Sequence, residues 1–277
     1  MLKLENVSKK FKSIVIADDI SLELGNNTYG LLGRNGSGKT TLLRCITEVE
    51  KVNGGRISCI ENGNEVKNYL DCIGYLPQNF DIFNELTASE VLHFFANLKA
   101  YKISDEEVTG FLEMLNLSDK KDTLVKKLSG GMKRRLGIAQ ALIGNPQILL
   151  LDEPTAGLDP EERLNFKNVI RKIKKDKCVV LSTHIITDIE SLCVKILVFL
   201  NGKITQFDSC DALAAVAAGK VFAVKNTDCL ECRFYSAGSV TIDGAEYEKI
   251  ICSDKINAVK LEPTVEDGYI CFIENLY

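Results

Sequence analysis

The chain has 277 residues, of which 45% are hydrophobic and 26% are charged, with a net charge of −4. This composition is typical of a globular protein with one large domain or two modest ones, whose core needs no disulfides. The small negative charge argues against a protein that binds nucleic acid through a broad positive surface. No stretch reaches the ~18 apolar residues of a membrane span, and the first residues lack the apolar core of a signal peptide.

The first part of the chain is predicted to form short strands and one helix. The strands are expected over residues 2–8, 20–24, 28–32, 56–60 and 73–76, and the helix over 39–46. A turn that contains Asp18-Asp19 is predicted between the first two strands. The glycine-rich segment Gly33–Gly38 separates the third strand from the helix.

The middle of the chain changes to helical periodicity from about Thr87 to Ile143. Strands then return over 148–151, 178–181 and 194–200, separated by helices over 160–174 and 187–192. Strands that alternate with helices predict a parallel sheet covered on both faces. The class is therefore α/β, with a mostly helical insertion at about 79–147.

A main domain over 1–206 is predicted to be followed by a small accessory α+β region over 207–277. A strand is expected over 203–206 and a helix over 210–218. Beyond Lys220, short β segments are expected, with turns at Ala237-Gly238 and Asp243-Gly244. No motif in this region indicates a function.

Cysteine is frequent, with ten residues, but most lie scattered in apolar segments, where free thiols behave as small buried hydrophobes. Cys229 and Cys232 form one C-x-x-C, and Cys252 and Cys271 follow farther along. A zinc site usually has two such pairs. Because the second pair is missing, the sequence favours free thiols over a metal site, and whether Cys229 and Cys232 bind anything stays open.

The glycine-rich loop fits a phosphate-binding motif, since residues 33–40 read G-x-x-x-x-G-K-T between a strand and a helix. Backbone N–H groups of such a loop turn toward phosphate oxygens, and the helix N-terminus adds its positive dipole end. Lys39 is predicted to reach the β- and γ-phosphates, and the Thr40 hydroxyl to ligate Mg²⁺. The predicted nucleotide-binding residues of this loop are Asn35, Gly36, Ser37, Gly38, Lys39, Thr40 and Thr41.

Two carboxylates, Asp152 and Glu153, follow the apolar strand over 148–151. A strand buried on both faces directs its C-terminal end toward the ligand crevice of a parallel sheet. Asp152 is therefore predicted to hold Mg²⁺, directly or through water, and Glu153 to polarise an attacking water as general base. A pair of surface acids is the structural alternative, which the phosphate loop upstream disfavours.

A further segment indicates the type of ATPase. Leu128-Ser129-Gly130-Gly131-Met132 precedes a helix and resembles the signature sequence of ABC ATPases, usually L-S-G-G-Q. Other elements of that family occur in the same order. They resemble the stacking aromatic (Phe11), the Q-loop glutamine (Gln78), the D-loop (Gly157-Leu158-Asp159) and the switch histidine (His184). The resemblance covers roughly Leu2 to Gln206.

The resemblance implies a P-loop NTPase core with a mixed, largely parallel sheet, an antiparallel β subdomain and a helical signature subdomain. It implies catalytic roles for Gln78, Glu153 and His184, and it adds Gln78 to the Mg²⁺ ligands Thr40 and Asp152. Nucleotide contacts are implied for Phe11, which would stack on adenine, and for Asp159.

The turn at Ser129, Gly130 and Gly131 precedes a helix and would form an anion-binding N-terminus without an obvious ligand in its own subunit. In ABC ATPases this turn closes over the γ-phosphate bound by the partner. The resemblance therefore implies that two copies, or two related chains, bind two ATP molecules head to tail.

Met132 departs from the family, which usually has glutamine there, but the serine and glycines contact phosphate, so we expect activity to survive. S-G-G-M followed by basic residues resembles a bacterial branch that serves drug and bacteriocin exporters, as does the segment 261–267. The resemblance implies a motor that uses ATP and Mg²⁺ on the cytoplasmic face of the membrane to drive a permease on a separate chain.

Two other functions compete with this interpretation. A non-transport ABC ATPase could act on DNA or ribosomes, but no sustained heptads separate Thr40 from Leu128, and the chain has one cassette. A nucleotide-binding regulator without turnover would not need Glu153 and His184. The sequence therefore favours a transporter motor that binds no nucleic acid, and it does not name the cargo.

Overall fold

The computed structural model describes residues 1–80, 84–225, 227, 230, 232–254 and 256–276. The described chain divides into two compact units, Met1–Thr205 and Gln206–Tyr277. The division falls within one strand, Lys203–Phe207.

The described elements are named here in chain order. The strands are β1 (Leu2–Phe11), β2 (Ile14–Leu24), β3 (Thr28–Leu32), β4 (Gly54–Glu61), β5 (Asn64–Glu65), β6 (Ile73–Leu76), β7 (Ile148–Asp152), β8 (Cys178–Thr183), β9 (Lys195–Leu200), β10 (Lys203–Phe207), β11 (Val221–Val224), β12 (Phe234–Ile242), β13 (Ala245–Cys252) and β14 (Val259–Lys260). The helices are α1 (Lys39–Ile46), α2 (Ala88–Leu98), α3 (Asp105–Met114), α4 (Gly130–Leu142), α5 (Pro160–Ile173), α6 (Ile186–Leu192), α7 (Cys210–Ala214) and α8 (Val265–Ile273).

The first unit contains a sheet with the order β10-β9-β3-β8-β7-β6, in which the five strands from β9 to β6 are parallel. Every residue of β3, β7 and β8 is buried, as expected for a parallel sheet covered on both faces. Asp152 lies opposite Ser182, and Leu32 opposite Thr183. The glycine-rich loop and Glu153 therefore leave the sheet at the same edge.

A second sheet of the first unit has the order β2-β1-β4-β5 with antiparallel pairing. The chain turns between β1 and β2 at Lys12-Ser13. The prediction that Asp18-Asp19 forms this turn is wrong, because both residues lie inside β2. They form a bulge opposite Ser8, where Asp19 has a φ of 55° and its Oδ1 accepts a hydrogen bond from Asn6 Nδ2 at 2.8 Å.

Helices α2, α3 and α4 pack into one apolar core that also includes residues of β6, β7 and α5. Capping boxes start two of these helices, with Thr87 and Glu90 at α2 and Ser104 and Glu107 at α3. The helical insertion is present as predicted, although residues 81–83 lie outside the described part of the chain.

The second unit has an antiparallel sheet with the order β12-β13-β11-β14, together with α7 and α8. Asp243-Gly244 connects β12 to β13 as predicted. The turn predicted at Ala237-Gly238 is wrong, because these residues lie within β12, where the register shifts and Gly238 has a φ of 98°. Helix α8 was not predicted, and Thr264 caps it with a hydrogen bond from Asp267 N.

All described helices are short, and the longest, α5, has 14 residues. A membrane-spanning helix needs about 20 residues. Among the residues that the structure describes, none of the helices is both long enough and apolar enough to span a bilayer.

We predict that Gly74→Ala destabilises the protein, because a Cβ on β6 would collide with the carbonyl oxygen of Ala141 on α4. Overpacking of this kind costs about 1–3 kcal/mol, which a lower midpoint of thermal unfolding would report. Gly110→Ala in α3 is the matched control, because its Cβ would meet nothing within 4 Å. That control is expected to stabilise the helix by about 0.5–1 kcal/mol. An unchanged midpoint for Gly74→Ala would refute the close packing of β6 on α4.

Candidate functional site

The glycine-rich loop joins β3 to α1 and encloses the Lys39 side chain. Gly38 precedes the helix with a φ of 111°, and a Cβ there would lie 2.6 Å from Ile16 Cγ2, so the position requires glycine. Lys39 Nζ donates hydrogen bonds to the carbonyl oxygens of Gly33 at 2.8 Å and Arg34 at 3.1 Å. Burial lowers the pKa of Lys39, and the neighbouring carboxylates partly oppose that shift.

A cleft of about 310 Å³ lies above this loop. Its lining contains most of the residues that the sequence predicted to bind ATP. They are Asn35, Gly36, Ser37, Gly38, Lys39, Thr40, Thr41, Gln78, Glu153 and His184, with Ile16 in addition. Residues that are far apart in the sequence therefore meet at the C-terminal edge of the parallel sheet.

Asp152, which ends β7, is completely buried beside the cleft. Its Oδ1 accepts hydrogen bonds from Thr40 Oγ1 at 3.1 Å and from Ser182 Oγ at 2.6 Å. Its Oδ2 is buried and has no hydrogen-bond donor among the described residues. An unpaired carboxylate oxygen next to a hydroxyl fits Mg²⁺, which prefers oxygen ligands.

Glu153 has a φ of 43°, a strained conformation for a residue that is not glycine. Its backbone N–H donates to Ser182 O at 3.0 Å, which holds the turn in place. Its carboxylate lies between the His184 ring and the Lys39 ammonium. Oε2 is 2.9 Å from His184 Nδ1, and Oε1 is 3.7 Å from Lys39 Nζ. The Glu153 side chain is 7% exposed, whereas that of His184 is 42% exposed at the mouth of the cleft.

Arg134 on α4 connects the helical insertion to the cleft. Its Nη1 donates to the carbonyl oxygens of Pro77, at 3.1 Å, and Gln78, and its Nη2 donates to Glu153 O at 3.3 Å. Burial lowers the pKa of the Arg134 guanidinium, and the carboxylates of Asp152 and Glu153 oppose that shift. One side chain therefore connects the backbone of Pro77 and Gln78 to that of Glu153.

The turn at Ser129–Gly131 starts α4 and packs on α5. Ser129 Oγ accepts a hydrogen bond from Met132 N at 3.1 Å. A Cβ on Gly131 would collide with the carboxylate of Glu162, which also pairs with Arg135 at 3.3 Å. Met132 is half-buried against the apolar core of the helical part, so methionine at this position contributes to packing.

Five predicted nucleotide contacts do not line the cleft of their own chain. They are Phe11, Ser129, Gly130, Gly131 and Asp159. The Phe11 ring is 42% exposed, with Lys9 Nζ 4.3 Å from its centroid. The Asp159 carboxylate caps α5 by accepting a hydrogen bond from Glu162 N at 2.8 Å.

Three residues at or near the cleft were not predicted from the sequence. Ser182 carries no signal of its own in the sequence, but β8 runs parallel to β7 and places Ser182 opposite Asp152. Arg134 is one of the basic residues that follow S-G-G-M, and the sequence does not distinguish it from the others because its contacts depend on how α4 packs. Ile16 belongs to the β1–β2 hairpin and approaches the loop only in the folded chain.

Comparison with known proteins identifies the family of this chain. Residues 17–156 match the family described as ABC transporter. YdbJ, an uncharacterised ABC transporter ATP-binding protein of Bacillus subtilis, is 36% identical over 209 residues, which are 74% of this chain and 68% of that protein. The methionine import ATP-binding protein MetN of Desulfitobacterium hafniense is 32% identical over 223 residues, which are 74% of this chain and 65% of that protein.

A solved structure extends the likeness to the fold. It is the dimeric, post-hydrolysis state of the ATP-binding cassette MJ0796 bound to ADP and Pi, with a TM-score of 0.66 and 27% identity, covering 75% of this chain and 98% of that one. The α/β fold with its glycine-rich loop, the cleft at the edge of the parallel sheet and the family match lead to one conclusion. The chain belongs to the ABC transporter family, as an ATP-binding subunit of the ATPase type.

Proposed function

We propose that this chain is the motor subunit of an exporter, which binds Mg-ATP at a head-to-tail dimer interface and drives a membrane permease on a separate chain. The observation that carries the proposal is the position of the Glu153 carboxylate. It lies between Lys39 and His184 inside the cleft formed by the phosphate loop. A regulator that only bound nucleotide would need the loop but no buried carboxylate at the place of the reacting phosphate.

The loop residues from Asn35 to Thr41 bind the phosphates in this proposal. Their backbone N–H groups and the N-terminus of α1 supply positive ends of dipoles, and Lys39 supplies a charge. Phosphate oxygens that enter the loop compete with the carbonyl oxygens of Gly33 and Arg34 for the Lys39 ammonium. Phe11, exposed at the end of β1, supplies a ring on which adenine stacks.

Thr40, Asp152 and Gln78 are the residues that would hold Mg²⁺. The unpaired Oδ2 of Asp152 and the Thr40 hydroxyl that bonds Oδ1 are the observations that support this assignment. When bound, the ion neutralises charge that develops on the phosphate oxygens.

Glu153 acts as the general base. Water attacks the γ-phosphorus, the bond to the β,γ-bridging oxygen breaks, and the proton of the water passes to the Glu153 carboxylate. With a proton on Nδ1, His184 donates to Glu153 Oε2 and leaves Nε2 as an acceptor. His184 thereby orients the carboxylate, and Gln78 lines the same cleft.

The second half of each ATP site comes from a partner copy or a related chain. Ser129, Gly130 and Gly131 form a helix N-terminus outside the cleft of their own chain. The MJ0796 cassette, which shares 27% identity, is described as a dimer bound to ADP and Pi. In the same arrangement, this turn and Asp159 reach the nucleotide held by the partner.

The membrane partner follows from the family, whose relatives are named ABC transporter ATP-binding proteins. The chain would act in the cytoplasm, at the inner face of the membrane. Export is supported by the S-G-G-M signature and the segment 261–267, whereas MetN is named an import protein.

We predict that Glu153→Gln lowers kcat for ATP hydrolysis by about 10²–10⁴-fold, the usual contribution of a general base. ATP binding should survive, because the loop and Lys39 are unchanged. Steady-state hydrolysis and equilibrium binding of a fluorescent ATP analogue measure the two effects separately. Normal turnover by this variant would show that Glu153 is not the base, and Lys39→Ala, which should weaken binding itself, is the contrasting variant.

We predict that Arg134→Ala lowers kcat by about ten-fold or more. The carbonyl oxygens of Gln78 and Glu153 would lose their hydrogen-bond donor. Hydrogen bonds to a charged group contribute about 1.5–3 kcal/mol each. The KM for ATP should change less, since Arg134 does not line the cleft. Arg171→Ala is the matched control, because Arg171 is an exposed arginine of α5 that donates a hydrogen bond to Asn168 Oδ1 at 3.1 Å. Equal kinetics for both variants would exclude a positioning role for Arg134.

A further inference from the structure

Two cysteines of the second unit lie side by side at the end of the β12–β13 hairpin. Phe234, which starts β12, pairs with Cys252, which ends β13. Cys232 comes two residues before Phe234, so the chain places both thiols at the same end of the sheet. The Cys232 and Cys252 Sγ atoms are 3.2 Å apart, although the residues are far apart in the sequence.

Asp254 adds an oxygen to this pair. The two sulfur atoms and a carboxylate oxygen of Asp254 all lie within 4.8 Å of one another. The backbone N–H of Asp254 also lies 3.3 Å from Cys252 Sγ. Hydrogen bonds from backbone N–H groups stabilise thiolates and surround the sulfur ligands of many metal centres.

The surroundings differ on the two sides of the cluster. Cys252 is buried among Phe222, Val224 and Ile250, whereas Cys232 is half-buried and Asp254 is exposed. The cluster therefore has one dry side that restricts water and one open side through which an ion can enter.

The chemistry of the three donors selects among ions. Two sulfurs and one carboxylate suit a borderline-soft cation such as Zn²⁺ and not Mg²⁺ or Ca²⁺, which prefer oxygen alone. In a tetrahedral zinc site with Zn–S bonds of about 2.3 Å, the sulfurs are about 3.8 Å apart. The thiols would have to separate by roughly half an ångström, a shift that a side-chain rotation can supply.

We propose that Cys232, Cys252 and Asp254 bind one thiophilic divalent cation of the zinc type, with a fourth position open to water or another donor. The sequence pattern disfavours zinc because a second C-x-x-C is missing, but the fold brings Cys252 to Cys232 without one. Cys229, the other member of the C-x-x-C, lies outside the described residues. The proposal is independent of ATP hydrolysis, because all three donors belong to the second unit.

The test uses the full chain, reduced with a thiol-free reductant, and titrates it with Cd²⁺ alone and Zn²⁺ alone. Binding of one Cd²⁺ should produce the ultraviolet cadmium–thiolate absorption band. Zn²⁺ should abolish this band by displacing the Cd²⁺. Cys232→Ser and Asp254→Asn should each weaken binding by about ten-fold or more. Zn²⁺ should also raise the midpoint of thermal unfolding of the unmodified chain, and this rise should be lost in both variants.

Cys271→Ser is the matched control, because Cys271 is a buried thiol of the same unit that bonds the carbonyl oxygens of Val216 and Leu276. Its cadmium band should equal that of the unmodified chain. Three results would overturn the proposal. They are the absence of a thiolate band, a band that persists unchanged in Cys232→Ser and Asp254→Asn, and a Cys232–Cys252 disulfide in the protein kept under reductant.

Discussion

The buried carboxylate of Asp152 is the interaction on which the geometry of the cleft depends. One oxygen, Oδ1, accepts hydrogen bonds from Thr40 on α1 and Ser182 on β8, so a single charge connects three elements of the core. Removing one partner of a buried charge is strongly destabilising, because the charge loses the donors that replaced water. The other oxygen has no donor among the described residues, which leaves an acceptor available to a cation at the place where phosphates would enter.

The residue that follows Asp152 has a different environment because the chain turns sharply there. Glu153 has a φ of 43°, and its carboxylate lies beside Lys39 and His184. In the proposed mechanism these adjacent carboxylates have separate roles, Asp152 in metal binding and Glu153 in proton transfer. Arg134 on α4 donates a hydrogen bond to the backbone of the same turn, so one side chain connects α4 to Glu153.

Sequence patterns predicted the parallel strands and the phosphate loop closely, because β3 and α1 form through local signals. The predictions failed where a bulge and a turn have the same sequence pattern, as at Asp18-Asp19. The pairing of β2 with β1 decides between the two. The motif residues were found by spacing, but the hydroxyl of Ser182 and the thiol of Cys252 depend on strand register and meet their partners only in the fold.

The proposed motor requires each nucleotide to be held by two chains, and the molar mass of the Glu153→Gln variant by light scattering tests this most directly. The account predicts one chain without nucleotide and two chains with saturating Mg-ATP. Adding Ser129→Arg to the same chain should restore the single mass, because Ser129 starts α4 outside its own cleft and would meet only the partner's nucleotide. A single mass for Glu153→Gln with ATP bound would contradict the shared site.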